Sequence, residues 1–191
     1  MSKYTELREQ WPVFIYRGYE IEEEEGAVRI RYRFQIPGLS EFAPEWVFPK
    51  VEGAENHFQE DPVFRNMVFS LGMAELVSYW KICCPPRVEV EAGYLDQDQV
   101  SWWKDLYFNG LGEFFYTNHI QEADQDTFME LVSTGHPADG ETDQEQVQRR
   151  RELSGCLIPI GGGKDSAVTI ELVKKTGLSS MAYIINPRGA T

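Results

Sequence analysis

The segment from Cys156 to Lys175 constrains the fold of this chain more than any other, because it reads CLIPIGGGKDSAVTIELVKK. Its apolar start is typical of a buried strand, and its consecutive glycines are typical of a turn. Its remaining residues are typical of an amphipathic helix. A strand followed so closely by a helix is typical of parallel sheets covered by helices. We expect the glycines to let backbone N–H groups approach an anion at the helix N-terminus, as in a phosphate cradle.

The composition limits the classes of partner. The chain has 191 residues, 42% of them hydrophobic, and a formal net charge of −13, which disfavours a nucleic-acid partner. No apolar run is long enough to cross a membrane, and the first residues lack the apolar stretch of a signal peptide. Three cysteines, two of them adjacent, do not make a disulfide framework. We therefore expect a cytoplasmic protein without a membrane partner.

The N-terminal part predicts a β-hairpin. Apolar and polar residues alternate from 28 to 36, and an acidic run followed by Gly26 marks the turn of a hairpin spanning 13–36. The next residues, EFAPEWVFPK, predict a short extended segment held by Pro44 and Pro49.

Helices are predicted after the hairpin. Asp61 and Pro62 form a helix start signal, and CCPP at 83–86 ends the element. A short strand is predicted at 87–91, an aromatic-rich helix from Asp96, and a last helical piece near 126–132.

The chain therefore divides into three parts. We predict an α+β domain at 1–133, made of the β-hairpin and aromatic-rich helices, and a polar linker at 134–153. Residues 154–191 then form the first strand, loop, helix and strand of an incomplete α/β domain. In that last part, Gly177 is the expected helix C-cap and MAYIINP the next strand.

The glycine loop differs from two common phosphate-binding motifs. Lys164 is followed by Asp165 rather than Ser or Thr, which excludes a Walker A loop, and the spacing does not fit GxGxxG. The loop instead resembles the SGGxDS signature of the PP-loop ATP pyrophosphatases, with Gly161 in place of the first serine. That resemblance implies an ATP- and Mg²⁺-binding site, made here by Gly161, Gly162, Gly163, Lys164, Asp165 and Ser166, with Asp165 holding the metal.

A second resemblance narrows the family. The segments SEFAPEWVFP, LGMAELVSYWK and LYFNGLGEFFYTNHI, together with the GGGKDS loop, are similar to the N-terminal half of the UDP-N-acetylmuramoyl-L-alanyl-L-glutamate epimerases. The family's proteins are about twice as long as this chain, so a C-terminal half is expected to be missing.

The resemblance implies a reaction in peptidoglycan synthesis. The terminal L-Glu of UDP-MurNAc-L-Ala-L-Glu would be inverted to D-Glu through an acyl-adenylate, with ATP cleaved to AMP and pyrophosphate. An acyl-adenylate stabilises an adjacent carbanion better than a carboxylate does, so a base and an acid could then exchange the α-proton.

The proton-transfer residues are not identified by the sequence. His119 is a weak candidate, with a surface or structural role as the alternative, and Cys83 and Cys84 are expected to pack at a helix end. Gly110 and Gly112 would either admit a neighbouring helix or break their own, with packing favoured. The aromatic side chains nearby are expected to be mostly core, with stacking of one or two on a uracil or adenine ring as the alternative; they are those of Trp102, Trp103, Phe114, Phe115 and Tyr116.

Two other functions stay open. The chain could be part of another PP-loop adenylating enzyme, such as a tRNA thiolase or an amide-forming synthetase, or it could be a non-catalytic fragment. For the chain alone we expect little or no turnover and an exposed sheet edge.

Overall fold

A computed structural model describes residues 2–50, 58–135 and 155–185. The chain divides into two compact units, Met1–Asp139 and Gly140–Thr191, and each is described by itself. The predicted linker at 134–153 lies outside the described residues apart from Thr134 and Gly135. The domain boundaries at 133 and 154 stay a prediction.

The first unit is an α+β structure with a mixed sheet. In chain order its elements are α1 (Lys3–Gln10), β1 (Val13–Glu24), β2 (Ala27–Ile36), β3 (Ser40–Phe42), β4 (Glu45–Pro49), α2 (Pro62–Trp80), β5 (Arg87–Val90), α3 (Gln97–Gly110), α4 (Gly112–Thr117) and β6 (Glu130–Ser133). The sheet order is β3-β2-β1-β5-β6, and β4 also pairs with β2.

The predicted hairpin is confirmed. β1 and β2 pair antiparallel, and Gly26 at their turn has φ +78°, a conformation that glycine adopts without a steric penalty. The segment held by Pro44 and Pro49 is extended as expected, forming β3 and β4. On its other side β1 pairs with β5 in parallel, and β5 pairs with β6 in parallel. The sheet is therefore antiparallel at one end and parallel at the other.

Local capping chemistry sets the starts of the helices. The Asp61 side chain accepts from the Val63 N–H at 2.9 Å with Pro62 in the first turn, which confirms the predicted start of α2. Asp96 and Gln99 form a reciprocal capping box at the start of α3. α1, capped by Ser2, was not anticipated from the sequence.

The core of the first unit contains side chains from the sheet, α2, α3 and α4. α2 lies close to the sheet at Gly72, where an added Cβ would overlap the Tyr16 hydroxyl. The largest fully buried side chains in this unit are those of Trp80, Tyr16, Tyr32, Phe14, Phe34, Phe128, Ile30, Ile36, Met73, Leu76, Met129 and Val68.

Two sequence-based interpretations are wrong. The segment near 126–132 is a turn followed by strand β6, because pairing with β5 and burial of Leu131 outweigh a weak local helix signal. Gly110 and Gly112 do not admit a neighbouring helix, since an added Cβ at either would meet nothing within 4 Å. They instead mark the break between α3 and α4, with Leu111 buried at the junction.

The second unit is a small parallel α/β arrangement. It contains β7 (Cys156–Pro159), α5 (Lys164–Thr176) and β8 (Ser180–Tyr183), and the two strands pair in parallel. Gly177 ends the helix at φ +70°, which confirms the predicted C-cap. Across the described ranges of both units, no helix is long and apolar enough to cross a membrane.

Candidate functional site

The glycine loop lies between β7 and α5. β7 ends at Pro159, and the Ile160 N–H donates to the Tyr183 carbonyl at 2.9 Å, which fixes the start of the loop beside β8. α5 then begins at Lys164 with Gly163 as its N-cap. The loop therefore lies at the carboxyl ends of two parallel strands, where ligands bind in open α/β sheets.

The glycines leave the approach to this loop open. Gly161, Gly162 and Gly163 are exposed, and Gly162 has φ +80°, in the left-handed region that favours glycine. A Cβ at Gly161 or Gly163 would meet nothing within 4 Å. The space beside the backbone is thus free for an external group.

The N-terminus of α5 has no side-chain cap. Gly163 supplies no side-chain oxygen, so the first N–H groups of the helix carry the partial positive charge of the helix dipole toward the loop. Phosphate oxygens satisfy such N–H groups in known phosphate cradles. The loop therefore has the donors and the open backbone that an anion requires.

The Ser166 side chain forms a hydrogen bond across the glycine loop. The Gly161 N–H donates to the Ser166 Oγ at 3.1 Å, so the hydroxyl holds the first glycine while its own hydrogen remains able to donate. The sequence predicted a role for Ser166 toward phosphate but not this contact, because it joins residues across a turn whose conformation is not readable from residue types.

Asp165 and Lys164 complete the predicted set. Both are exposed at the start of α5, where a carboxylate is favourable toward the helix dipole. Within the described ranges no group of three or more His, Cys, Asp and Glu side chains is gathered to hold a metal. One carboxylate still fits Mg²⁺, which commonly takes one or two carboxylates and completes its shell with phosphate oxygens and water.

His119 belongs to the first unit, whereas the glycine loop belongs to the second. It follows α4, is exposed, and has φ +55°; its N–H donates to the Tyr116 carbonyl at 3.2 Å. His57 and His136 lie outside the described residues. The six predicted loop residues therefore form one continuous segment in the second unit, and His119 is not part of it.

The adjacent cysteines do not have the features of acid–base groups. Cys83 and Cys84 are buried after the end of α2, as expected for packing, and Cys84 has φ +51°. Burial raises the pKa of the Cys84 thiol to about 12, which keeps it protonated and poorly nucleophilic near neutral pH.

The aromatic residues are split between core and surface. Phe115 is buried and Trp103 and Phe114 are half-buried, but Trp102 is 58% and Tyr116 83% exposed. The expectation that this group is mostly core is therefore only partly right, since two of its five side chains are exposed.

Comparisons with known proteins identify the family of the chain. The family model described as the MurL N-terminal domain matches residues 5–191. A UDP-N-acetyl-alpha-D-muramoyl-L-alanyl-L-glutamate epimerase from Xanthomonas oryzae pv. oryzae is 32% identical over 104 residues, which cover 53% of this chain and 21% of that protein.

Two further relatives have the same name. The protein from Micromonospora sp. is 31% identical over 111 residues, 58% of this chain and 23% of its own length. The protein from Salinispora tropica is 31% identical over 116 residues, which cover 58% of this chain and 22% of that protein. The matched part thus spans about a fifth of these relatives. No solved structure matches the chain significantly.

Proposed function

Because the chain belongs to the MurL N-terminal domain family, we propose that it is part of an enzyme that epimerises the terminal L-Glu of UDP-MurNAc-L-Ala-L-Glu. Three relatives named for this activity support the proposal. The single observation that carries it is the match over residues 5–191, which includes the aromatic helices and the glycine loop together.

We further propose that the glycine loop holds ATP in the manner of a PP-loop. The exposed backbone of 161–163 and the uncapped start of α5 would donate to the pyrophosphate oxygens. Lys164 would add a positive charge, and the Ser166 hydroxyl a further donor. Asp165 would hold Mg²⁺, which neutralises phosphate charge while the α–β bond is cleaved.

The proposed chemistry has three parts. The glutamate α-carboxylate attacks the ATP α-phosphorus, which forms an acyl-adenylate and releases pyrophosphate. A base removes the α-proton and an acid returns a proton to the opposite face; hydrolysis then releases AMP and D-Glu-containing product. Adenylation lowers the cost of the carbanion, because the activated carbonyl accepts charge that a carboxylate would repel. His119 stays a weak candidate for one of the proton transfers.

In the proposed enzyme this chain supplies only part of the ATP site. An ATP site needs contacts to adenine, metal and substrate that one strand–loop–helix unit does not supply. We therefore expect little or no turnover from the 191-residue chain alone. A tRNA thiolase or amide-forming synthetase remains the alternative for the loop, as does a non-catalytic fragment for the chain.

The test uses the full-length protein with purified UDP-MurNAc-L-Ala-L-Glu in deuterium oxide. We expect AMP and pyrophosphate to appear only with the L-Glu precursor, and deuterium to enter the glutamate α-position. Asp165→Asn should abolish AMP formation, whereas Glu171→Gln, which removes an exposed carboxylate on the same helix, should leave it unchanged. AMP release without α-deuteration would exclude epimerisation and favour a synthetase.

A further inference from the structure

A cavity of about 630 Å³ lies beside β6 in the first unit. It is lined by the whole of β6, by residues of α3 as far as Asp105 and the two residues before that helix, and by Gln125 and Asp126. We call this cavity the β6 groove.

The β6 groove follows an unpaired strand edge. The Glu130 N–H donates to the Pro86 carbonyl at 2.7 Å, and the Thr134 N–H to the Val90 carbonyl at 3.0 Å, so both point toward β5. Backbone groups alternate in direction along a strand, so those of Leu131 and Ser133, two residues that line the groove, point away from β5. Among the described residues β6 ends the sheet, and nothing pairs with this edge.

The end of the groove is fixed by side-chain bonds. The Ser133 Oγ accepts from the Leu95 N–H at 2.9 Å and donates to the Gly93 carbonyl at 3.2 Å. These bonds join the end of β6 to the segment that leads into α3. They fix the start of α3 relative to β6 before any ligand binds, so the groove is preformed.

The lining of the groove carries more acidic than basic side chains. Four carboxylates line it, those of Asp96, Asp105, Asp126 and Glu130, together with one cation, Lys104. Glu130 is paired with Arg87 at 2.9 Å, whereas the three aspartates have no ion pair among the described residues. The Lys104 Nζ donates to the Asp126 carbonyl at 3.2 Å rather than to a carboxylate. A second copy of this chain would bring the same acidic lining to the contact, so self-pairing along this edge is opposed by like charge.

We propose that the β6 groove binds an extended, lysine- or arginine-bearing segment of a partner protein as an additional strand of the sheet. The outward backbone groups of Leu131 and Ser133 would pair with the segment's main chain, and the carboxylates of Asp105 and Asp126 would select its cationic side chains. This combination of main-chain pairing and side-chain charge is the basis of strand-addition binding sites.

The test measures binding of a ten-residue peptide of alternating lysine and valine to the 191-residue chain. Hydrogen exchange followed by NMR reports the amides of β6. In the free chain we expect the Leu131 and Ser133 amides to exchange much faster than those of Glu130 and Thr134, and to become protected when the peptide binds. Asp105→Asn with Asp126→Asn should weaken binding by roughly two- to twentyfold for the two charges.

Matched controls separate strand addition from charge attraction. Asp98→Asn removes a carboxylate of α3 that does not line the groove and should leave binding unchanged. The same peptide with N-methyl groups on alternate residues keeps its charge but cannot pair on one edge, and should not protect β6.

Several outcomes would overturn the proposal. Equal binding of the N-methylated peptide, protection at residues other than Leu131 and Ser133, or no binding would each exclude strand addition at β6. Protection of these two amides in the free chain would show that the edge is already filled: by a second copy if it depends on protein concentration, and by the chain itself if it does not.

Discussion

The two units differ in how far they cover their own apolar side chains. In the first unit, Tyr16, Leu76 and Trp80 have no exposed surface. In the second, Ile158 is the one buried hydrophobic residue among those described, and Leu157 and Met181 are 63% and 69% exposed. Leu157 and Met181 are register partners on β7 and β8, so they expose the same sheet face.

The difference follows from the architecture of each unit. A mixed sheet with helices packed on one face can leave its other face to charged residues, as the first unit does with ion pairs such as Arg17–Glu91 and Arg29–Glu45. A parallel sheet normally has both faces covered, and two strands alone are marginal. The first unit thus buries a core of its own, whereas the second carries the glycine loop on a sheet that its described residues cover incompletely.

The largest expected difference is between two leucines, the buried Leu76 of the first unit and the exposed Leu157 of the second. Leu76→Ala should destabilise the first unit by about 2–5 kcal/mol, because a fully buried side chain leaves a cavity. Leu157→Ala should change the stability of β7 by no more than about 0.5 kcal/mol. Urea unfolding measures the first variant, and amide exchange of β7 the second. A large cost for Leu157→Ala would mean that its sheet face is covered in solution.

A smaller effect is expected where α2 meets the sheet. Gly72→Ala should destabilise the chain by about 1–3 kcal/mol, because its methyl group would overlap the Tyr16 hydroxyl in a packed core. Gly110→Ala is the matched control, since a methyl group there meets nothing within 4 Å. That control should be neutral or stabilising. Equal effects of the two substitutions in urea unfolding would contradict the close approach of α2 to Tyr16.

The smallest effect concerns alkaline pH. Burial raises the pKa of Cys84 to about 12 from the ordinary value of 9.0, so the unfolded chain loses this proton first. Stability from this group is therefore full below pH 9 and falls as pH rises toward 12. Between pH 9 and 10 the loss should be about 1 kcal/mol.

Urea midpoints at pH 8, 9 and 10 measure this dependence, with Cys84→Ala as the comparison. The variant begins less stable, because it removes a buried sulfur atom from the core, but its stability should fall less over this range. Parallel curves for the two proteins would show that the Cys84 thiol is accessible to water in the folded chain.

Local chemistry made much of the first unit predictable. The alternation in β2, the turn at Gly26 and the caps at Asp61 and Asp96 all act between residues close in sequence, and all are confirmed. The order strand, loop and helix around GGGKDS is likewise found at 156–176. These signals depend on backbone conformation and nearby hydrogen bonds, which residue types largely specify.

The errors arose where distant residues compete with local preference. The segment near 126–132 was predicted as helix from local pattern alone, but pairing with β5 and burial of Leu131 make residues 130–133 a strand. Two sets of hydrogen bonds also depend on tertiary placement. The Gly161 N–H donates to the Ser166 hydroxyl, and the Arg8 guanidinium donates to the Cys84 and Phe128 carbonyls. Arg8 follows no motif, so no sequence signal distinguished it from a surface arginine.

The sequence by itself determined the hairpin, the capped helices, the glycine loop with its open backbone and the family to which the chain belongs. Only the tertiary structure decided that β1, β5 and β6 lie in parallel, that an acidic groove follows the free edge of β6, and that the second unit leaves a sheet face exposed. The physical reason is that caps and turns are settled by interactions over a few residues. Strand order, exposed edges and burial depend instead on which distant segments exclude water from one another.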